Sequence, residues 1–319
     1  MRISMLSLSA IILAGATAHT AALACSACGC TLNSDWGSQG LTAGRGWRFD
    51  FRFDYFDQNE LRTGSEGLSR SDFRFPNDRE IQQSTINRNY SFNLDYSPNK
   101  DWGIDVQLPY FDRDHGTIAP GDTEISTSHA SGISDIRLIG HYQGFSPERN
   151  TGIEFGIKLP TGRFTQEFAT GPQAGHPLDR GVQLGTGTTD ILLGIYNFGA
   201  LSPDWGYFAQ ALVQAPFNSR EKFKPGAGIN LNVGLRYTAN STFVPQLQIN
   251  VRTEKREQGA NADIENSGAT LAYLSPGLTW NFTRRLSAFG FVQVPIYQRV
   301  NGLQIEARLL GSIGVHYIF

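Results

Sequence analysis

"WRFDFRFDY", residues 47–55, sets Trp47, Phe49, Phe51, Phe53 and Tyr55 in strict alternation with Arg48, Asp50, Arg52 and Asp54. A strand has a side-chain period of two, so the stretch presents one aromatic face and one wholly charged face. In a water-soluble sandwich the charges would meet solvent and the aromatics would form core. In a membrane barrel the aromatics would meet lipid and the charges would line a lumen. The stretch fits both, and the rest of the chain decides between them.

Eleven similar runs follow, at 85–96, 102–111, 133–143, 151–160, 187–198, 205–215, 227–238, 242–253, 270–281, 286–297 and 308–319. They approach the roughly 9 to 11 residues of a tilted bilayer-spanning strand, against about 5 or 6 for a globular one. Short turns at "SPNKD" (97–101), "GFSPERN" (144–150), "GALSPD" (199–204), "ANS" (239–241) and "FTRR" (282–285) alternate with longer loops at 57–84, 112–132, 161–186, 216–226, 254–269 and 298–307. A sandwich has no reason to sort its loops by length. Sorted loops and an even strand count predict an all-β fold, a transmembrane antiparallel up-and-down β-barrel of about 12 strands over 46–319, with periplasmic termini. Tyr96, Trp102, Tyr142, Phe198, Trp205, Tyr237, Phe243 and Trp280 gather at the short-turn end, where a headgroup-level girdle belongs.

Composition agrees. No window after residue 24 holds the roughly 20 apolar residues of a membrane helix, so any crossing is made by strands. Residues 1–24 read as a secretory signal, with Arg2, the apolar "MLSLSAIILAGATA" and the small-residue pattern Ala22-Leu23-Ala24 before Cys25. Removing them takes away one base and no acid, leaving 26 basic against 29 acidic residues. That balance excludes a nucleic-acid partner held by bulk charge. The chain ends "SIGVHYIF", a terminal Phe with apolar or aromatic residues at alternate positions before it. This is similar to the C-terminal signal that barrel-assembly machinery reads, and it points to the bacterial outer membrane and its lipid.

"CSACGC" (25–30) carries every cysteine of the chain, Cys25, Cys28 and Cys30, in a segment, 25–45, that precedes the first strand and is read as a periplasmic N-terminal tail. Three thiolates suit a soft ion such as Cu(I) or zinc, with the fourth ligand missing locally. A disulfide with one thiol left over, an inert tail and a lipidated Cys25 are the alternatives. No C-x-x-C-H occurs, so haem attachment at this run has no support.

Taking apolar positions as lipid-facing, the other parity supplies the pore lining: Arg48, Asp50, Arg52, Asp54, Asp105, Asp135, Arg137, Glu154, Lys158, Asp190, Arg236, Arg252 and Arg308, with Gln210, Asn232, Gln246, Gln248 and Asn250 among the neutral members. The signs are mixed, and twelve strands should leave a narrow passage. For most of these charges, bracing between neighbouring strands is the expected role. Phe208, Leu212, Phe289 and Phe291 share the inward parity, as a greasy strip for solute or as packing against a loop folded inward, for which 57–84 and 161–186 are long enough. The repeats "VQLP" (106–109), "IKLP" (157–160), "VQAP" (213–216) and "VQVP" (292–295) read as strand terminators, because Pro lacks the ladder donor.

At "KLPTGRF" (158–164) and "VQLGTGTTDILLGIY" (182–196) the sequence resembles a family of outer-membrane barrels named for an association with meta-pathway phenol degradation and described as transporters. The resemblance covers residues 45–319 and rests on short Gly, Thr and Pro patterns. It implies passage of small organic solutes and brings no catalytic residues with it. "SHAS" (128–131) offers a His two before a Ser, but in a segment read as polar loop with no third residue to orient the His, so no enzyme is expected. The expectation is therefore a channel for passive passage of small, aromatic or weakly polar solutes. The rival is a barrel serving as scaffold or sheath for a periplasmic redox or metal-handling partner recruited through the cysteine segment.

Overall fold

The computed structural model describes Leu32, Gln39 and residues 45–319. The signal-peptide reading of 1–24 and the metal reading of Cys25, Cys28 and Cys30 lie outside the described residues. Thirteen strands run in chain order: β1 (Gly46–Gly64), β2 (Glu66–Gly67), β3 (Ile81–Ser97), β4 (Trp102–Ile118), β5 (Ser126–Ile133), β6 (Arg137–Tyr142), β7 (Thr151–Lys158), β8 (Asp190–Ser202), β9 (Trp205–Pro216), β10 (Gly228–Tyr237), β11 (Phe243–Glu254), β12 (Ala269–Asn281) and β13 (Leu286–Ile318). Each barrel strand pairs antiparallel with its neighbour, and β13 returns to β1, from Arg48 opposite Ile318 to Gly64 opposite Val300. The barrel is closed by eleven strands, with β2 and β5 as two extras.

Strand β13 makes two crossings. Its first residues follow β12 across the 282–285 turn, the Ile318 amide donates to the Arg285 carbonyl at 2.9 Å, and near the fold-back Gln298 donates to the Ala307 carbonyl. Gly302, at φ 61°, sits at that fold-back, a left-handed backbone that favours glycine. The predicted 298–307 loop is thus a tight reversal, and the chain crosses twelve times. Strands β1, β3 and β4 also run on into the predicted outer loops, so 57–84 and 112–132 shrink to 65–80 and 119–125. No helix among the described residues is long and apolar enough to cross a membrane.

The alternation of 47–55 settles which way the faces point. Trp47 and Tyr55 are exposed on the outer wall, while Arg48 and Asp54 are buried inside. On β4 the outward residues run Trp102, Ile104, Val106, Leu108, Tyr110 and then Asp112. Eight residues from Trp102 to Tyr110 rise roughly 26 Å along the strand, or about 20 Å along the normal at a 40° tilt, near the height of an outer-membrane apolar band. At the short-turn end, ring pairs Trp47–Tyr96 (4.5 Å), Trp102–Tyr142 (4.5 Å), Trp205–Tyr237 (5.2 Å) and Phe243–Trp280 (5.6 Å) form the girdle. Phe198 is not part of it: it shares the inward parity of buried Tyr196 and stacks on that ring at 6.3 Å. The C-terminal Ile313, Val315, Tyr317 and Phe319 are exposed on the outer wall beside Trp47.

Apolar packing inside the barrel concentrates where β1, β12 and β13 meet. Phe56, Leu271, Tyr273 and Leu310 form one buried cluster, and Leu61, Ile81, Leu303 and Ile305 form another, capped by Leu68, Phe73 and Phe75 of the outer loop.

Candidate functional site

The lumen holds a cavity of about 360 Å³. Of the predicted lining residues, Arg52, Asp54, Asp105, Asp135, Arg137, Glu154, Lys158, Asp190 and Arg252 face it. Arg48, Asp50 and Arg236 share the inward parity outside that cavity, Arg48 bonded to Asp95 and Asp50 to His316, while Arg236 lies over the Phe208 ring at 5.5 Å. Arg308 departs from the expectation. Phe56 pairs with Leu310 but Gln58 with Ala307, so the last strand carries one extra residue there, and a bulge turns the side chain to the outside. Its guanidinium is 78% exposed and paired with Glu60.

The two motif segments meet at one lysine. Lys158, at the end of β7, is buried, with Nζ 2.8 Å from Asp135 Oδ2 and 3.2 Å from Asp190 Oδ2. Asp135 sits in the gap between β5 and β6. Besides the lysine it accepts hydrogen bonds from the Gly162 amide (3.0 Å), the Thr186 amide (3.0 Å) and Thr186 Oγ1 (2.9 Å). Asp190 accepts from Thr188 Oγ1 at 2.9 Å and from Gln214. Gly162 and Gly185 let two backbones cross here, because a Cβ on Gly185 would come within 2.4 Å of the Gly162 carbonyl oxygen. "KLPTG" and "GTGTTD" therefore encode a knot that straps residues 159–189 into the barrel.

That strap folds inward, as its length allowed. Arg180, Gln183, Leu184 and Thr186 line the cavity, and Arg113 inside β4 donates to the Gln183 carbonyl at 3.2 Å. The strap also covers the free edge of β5, where the Thr127 amide donates to the Thr170 carbonyl and the Ala169 amide to the Thr127 carbonyl. The proline repeats divide in two. Pro160 and Pro216 mark strand ends, whereas Pro109 stands inside β4 where its partner changes from β6 to β5, and Pro295 stands inside β13 opposite a bulge. Pro109 and Pro216 nonetheless keep one regular ladder, opposite Ser91 of β3 and Asp190 of β8.

From β7 round to β12 runs a belt of side-chain hydrogen bonds. Gln210 donates to Glu154 at 3.0 Å, Asn232 to Gln210 at 3.1 Å, Asn250 to Asn232 at 2.8 Å, and Ser275 to Asn250 at 2.6 Å. Mixed-sign charges are likewise held by neighbours: Arg52 by Asp54, Arg252 by Glu254 and Asn230. Arg137 is looser, with Gln214 at 3.3 Å, and it feels the charges of Arg52 and Arg252 from other walls. Leu32, from the N-terminal segment, lies in the lumen in one buried cluster with Phe289 and Phe291, and its carbonyl accepts from Arg52 at 3.2 Å. Phe289 and Phe291 thus pack against Leu32. Leu212 faces the cavity, while Phe208 is fully buried.

"SHAS" lies on strand β5 instead of a loop. His129 is exposed on the outer wall, 2.8 Å from Asp114, but no hydrogen bond joins it to Ser131. Asp112, Asp114 and His129 place ligand atoms within 4.8 Å of one another. Arg88 already bridges both carboxylates at 3.0 and 2.8 Å, so this trio is neutralised from within. These charges stand directly above Tyr90 and Tyr110 and mark the upper edge of the apolar band.

No family model and no curated protein matches the chain. Among solved structures, the COG4313 outer membrane channel from Pseudomonas putida F1 superposes with a TM-score of 0.64 at 10% identity, covering 87% of this chain and 97% of that one. The Pseudomonas putida toluene transporter TodX gives 0.47 at 10% identity over 93% and 96%. The Ralstonia pickettii toluene transporter TbuX gives 0.44 at 12% identity over 88% and 91%. The first likeness shows the fold: this chain is a closed antiparallel β-barrel of the kind that outer-membrane channel forms.

Proposed function

We propose that the barrel is a passive outer-membrane channel for small organic solutes, aromatic or weakly polar ones among them. The observation that carries this reading is the amphipathic cavity. Phe111, Ile139, Leu184, Leu212 and Phe223 line it together with Arg137, Gln107, Asn230 and Gln214. At about 360 Å³ it has more than twice the roughly 150 Å³ that accommodates benzene in an engineered protein cavity. An aromatic ring with a polar substituent finds both surfaces it needs, and mixed lumen charge disfavours strong selection for free ions. The resemblance carried by "KLPTGRF" and "VQLGTGTTDILLGIY" implies passage of small organic solutes, without naming one.

Planar-bilayer recording on the purified mature protein tests the proposal. Conductance that falls when a phenol-like solute is added, and that rises when residues 25–45 are deleted to free the Phe289–Phe291 patch, is the expected result. A deletion variant that assembles and still does not conduct would overturn the channel reading and favour a scaffold.

A further inference from the structure

The wall made by β1, β3 and β4 turns three columns of side chains inward, and their polar groups are used differently. On β1, Asp50 bonds His316 and Arg52 bonds Asp54, which also accepts from Ser312 at 2.6 Å. On β3, Asn89, Ser91 and Asn93 line the cavity, and among the described residues none of these three side chains makes a hydrogen bond. On β4, Phe111, Pro109 and Gln107 stand opposite them, rung by rung. Arg113 lies over the Phe111 ring at 5.6 Å and holds it, while Gln107 donates to Asp105 at 2.7 Å.

Asn89 carries the sharpest imbalance. It is 6% exposed, yet its Oδ1 has no hydrogen-bond partner. The same kind of side chain is treated otherwise from β7 round to β12, where Asn232 and Asn250 are consumed by the belt that joins Glu154 and Gln210 to Ser275. A buried amide oxygen without a donor destabilises a fold, so its place against a cavity calls for a donor that enters from the lumen. From Asn89 to Asn93 the column runs roughly 13 Å along the strand, as amide, hydroxyl and amide, with apolar Phe111 and Pro109 alongside.

We propose that Asn89, Ser91 and Asn93, with Phe111 and Pro109 beside them, form the track along which solute crosses the lumen, and that the solute is a ring bearing an N–H or O–H donor. The assignment rests on the channel reading above and narrows it. The ring packs on Phe111 and Pro109 while its donor meets Asn89 Oδ1, then Ser91 and Asn93 in turn. A site built to bond a donor discriminates against the analogue that lacks one, because the buried acceptor is then left unmet. A hydrocarbon or a ketone is therefore the poorer ligand, and an aromatic alcohol, amine or amide the better one.

Saturation-transfer-difference NMR on the purified mature protein in detergent tests this with two probes of like shape, benzamide and acetophenone, the second carrying a methyl where the first carries its amide nitrogen. Benzamide should bind saturably and about tenfold more tightly than acetophenone. Asn89→Leu should weaken benzamide by about tenfold and abolish the difference between the probes. Tyr90→Leu, in the ring pairs of the outer wall, should bind both as the parent does. Because no group in the fold uses Asn89 Oδ1, Asn89→Leu should also assemble and withstand urea at least as well as the parent, where a structural amide would lose stability. A parent that binds no benzamide, equal affinity for the two probes, or an Asn89→Leu barrel that keeps the preference or fails to assemble would overturn the track. Conductance is read separately: a barrel that conducts without the preference loses this assignment alone, and one that shows the preference without conducting overturns the channel reading and supports only the binding site.

Discussion

Replacing Lys158 with Met tests the knot that straps 159–189 into the barrel. The ammonium is 4% exposed and lies 2.8 Å from Asp135 and 3.2 Å from Asp190, so its loss leaves two buried carboxylates facing one another without a cation. Breaking a buried pair from one side costs roughly 3 to 5 kcal/mol. Here the remaining hydrogen bonds, three on Asp135 and two on Asp190, keep both acids partly satisfied and set the expected cost near the lower end, about 3 kcal/mol. Urea unfolding of the refolded protein should show that loss. The Asp135→Asn, Lys158→Met, Asp190→Asn triple variant should recover to within about 1 kcal/mol of the parent, because neutral side chains of similar shape remove the desolvation cost on both sides. A single variant as stable as the parent, or a triple variant no better than the single, would refute the account.

Gly185→Val should release the strap without touching a charge, since the new side chain meets Gly162 backbone at 2.4 Å; faster trypsin cleavage after Arg163 or Arg180 in the folded barrel is the readout. Arg137→Glu replaces a loosely held lumen cation, so the reversal potential in a salt gradient should move toward cation selectivity, and an unchanged potential would place Arg137 off the permeation path. With Cys25, Cys28 and Cys30 replaced, a cysteine at Ser65 should react with an impermeant thiol reagent on intact cells and one at Asn99 should not; equal labelling would contradict the orientation.

Much of this architecture is legible in sequence because a barrel wall obeys one rule per strand. Parity puts Arg52, Asp105, Asp135 and Lys158 on the inward face, and in the structure all four line the cavity. Parity fails where the ladder does. The extra residue between Leu310 and Ala307 reverses Arg308, and no feature of "EARLLG" announces a bulge. Strand ends were hidden for a related reason. Above the membrane both faces of β3 and β4 turn polar, as at Arg88, Asp112 and Asp114, so alternation of hydrophobicity stops before pairing does. The lumenal position of Leu32 has no local signal, since one leucine in a short polar run packs against Phe289 and Phe291 on a strand more than 250 residues away and is held by Arg52 through its carbonyl.

The same logic explains why the motif segments resisted a functional reading until the chain was folded. Gly162, Gly185, Thr186 and Asp190 look like turn chemistry one at a time, and Asp135 looks like a pore charge. Brought together they surround Lys158 so fully that its charge is unavailable to a passing ion. The acids that brace this knot are therefore poor candidates for tuning selectivity, despite facing the cavity. On the channel proposal, selectivity falls to the side chains that braces do not consume, and Arg137, bonded to Gln214 at 3.3 Å, is one of them. A polar lumen thus divides into charges that hold the wall and charges that meet the solute, and hydrogen-bond satisfaction, more than parity, separates the two.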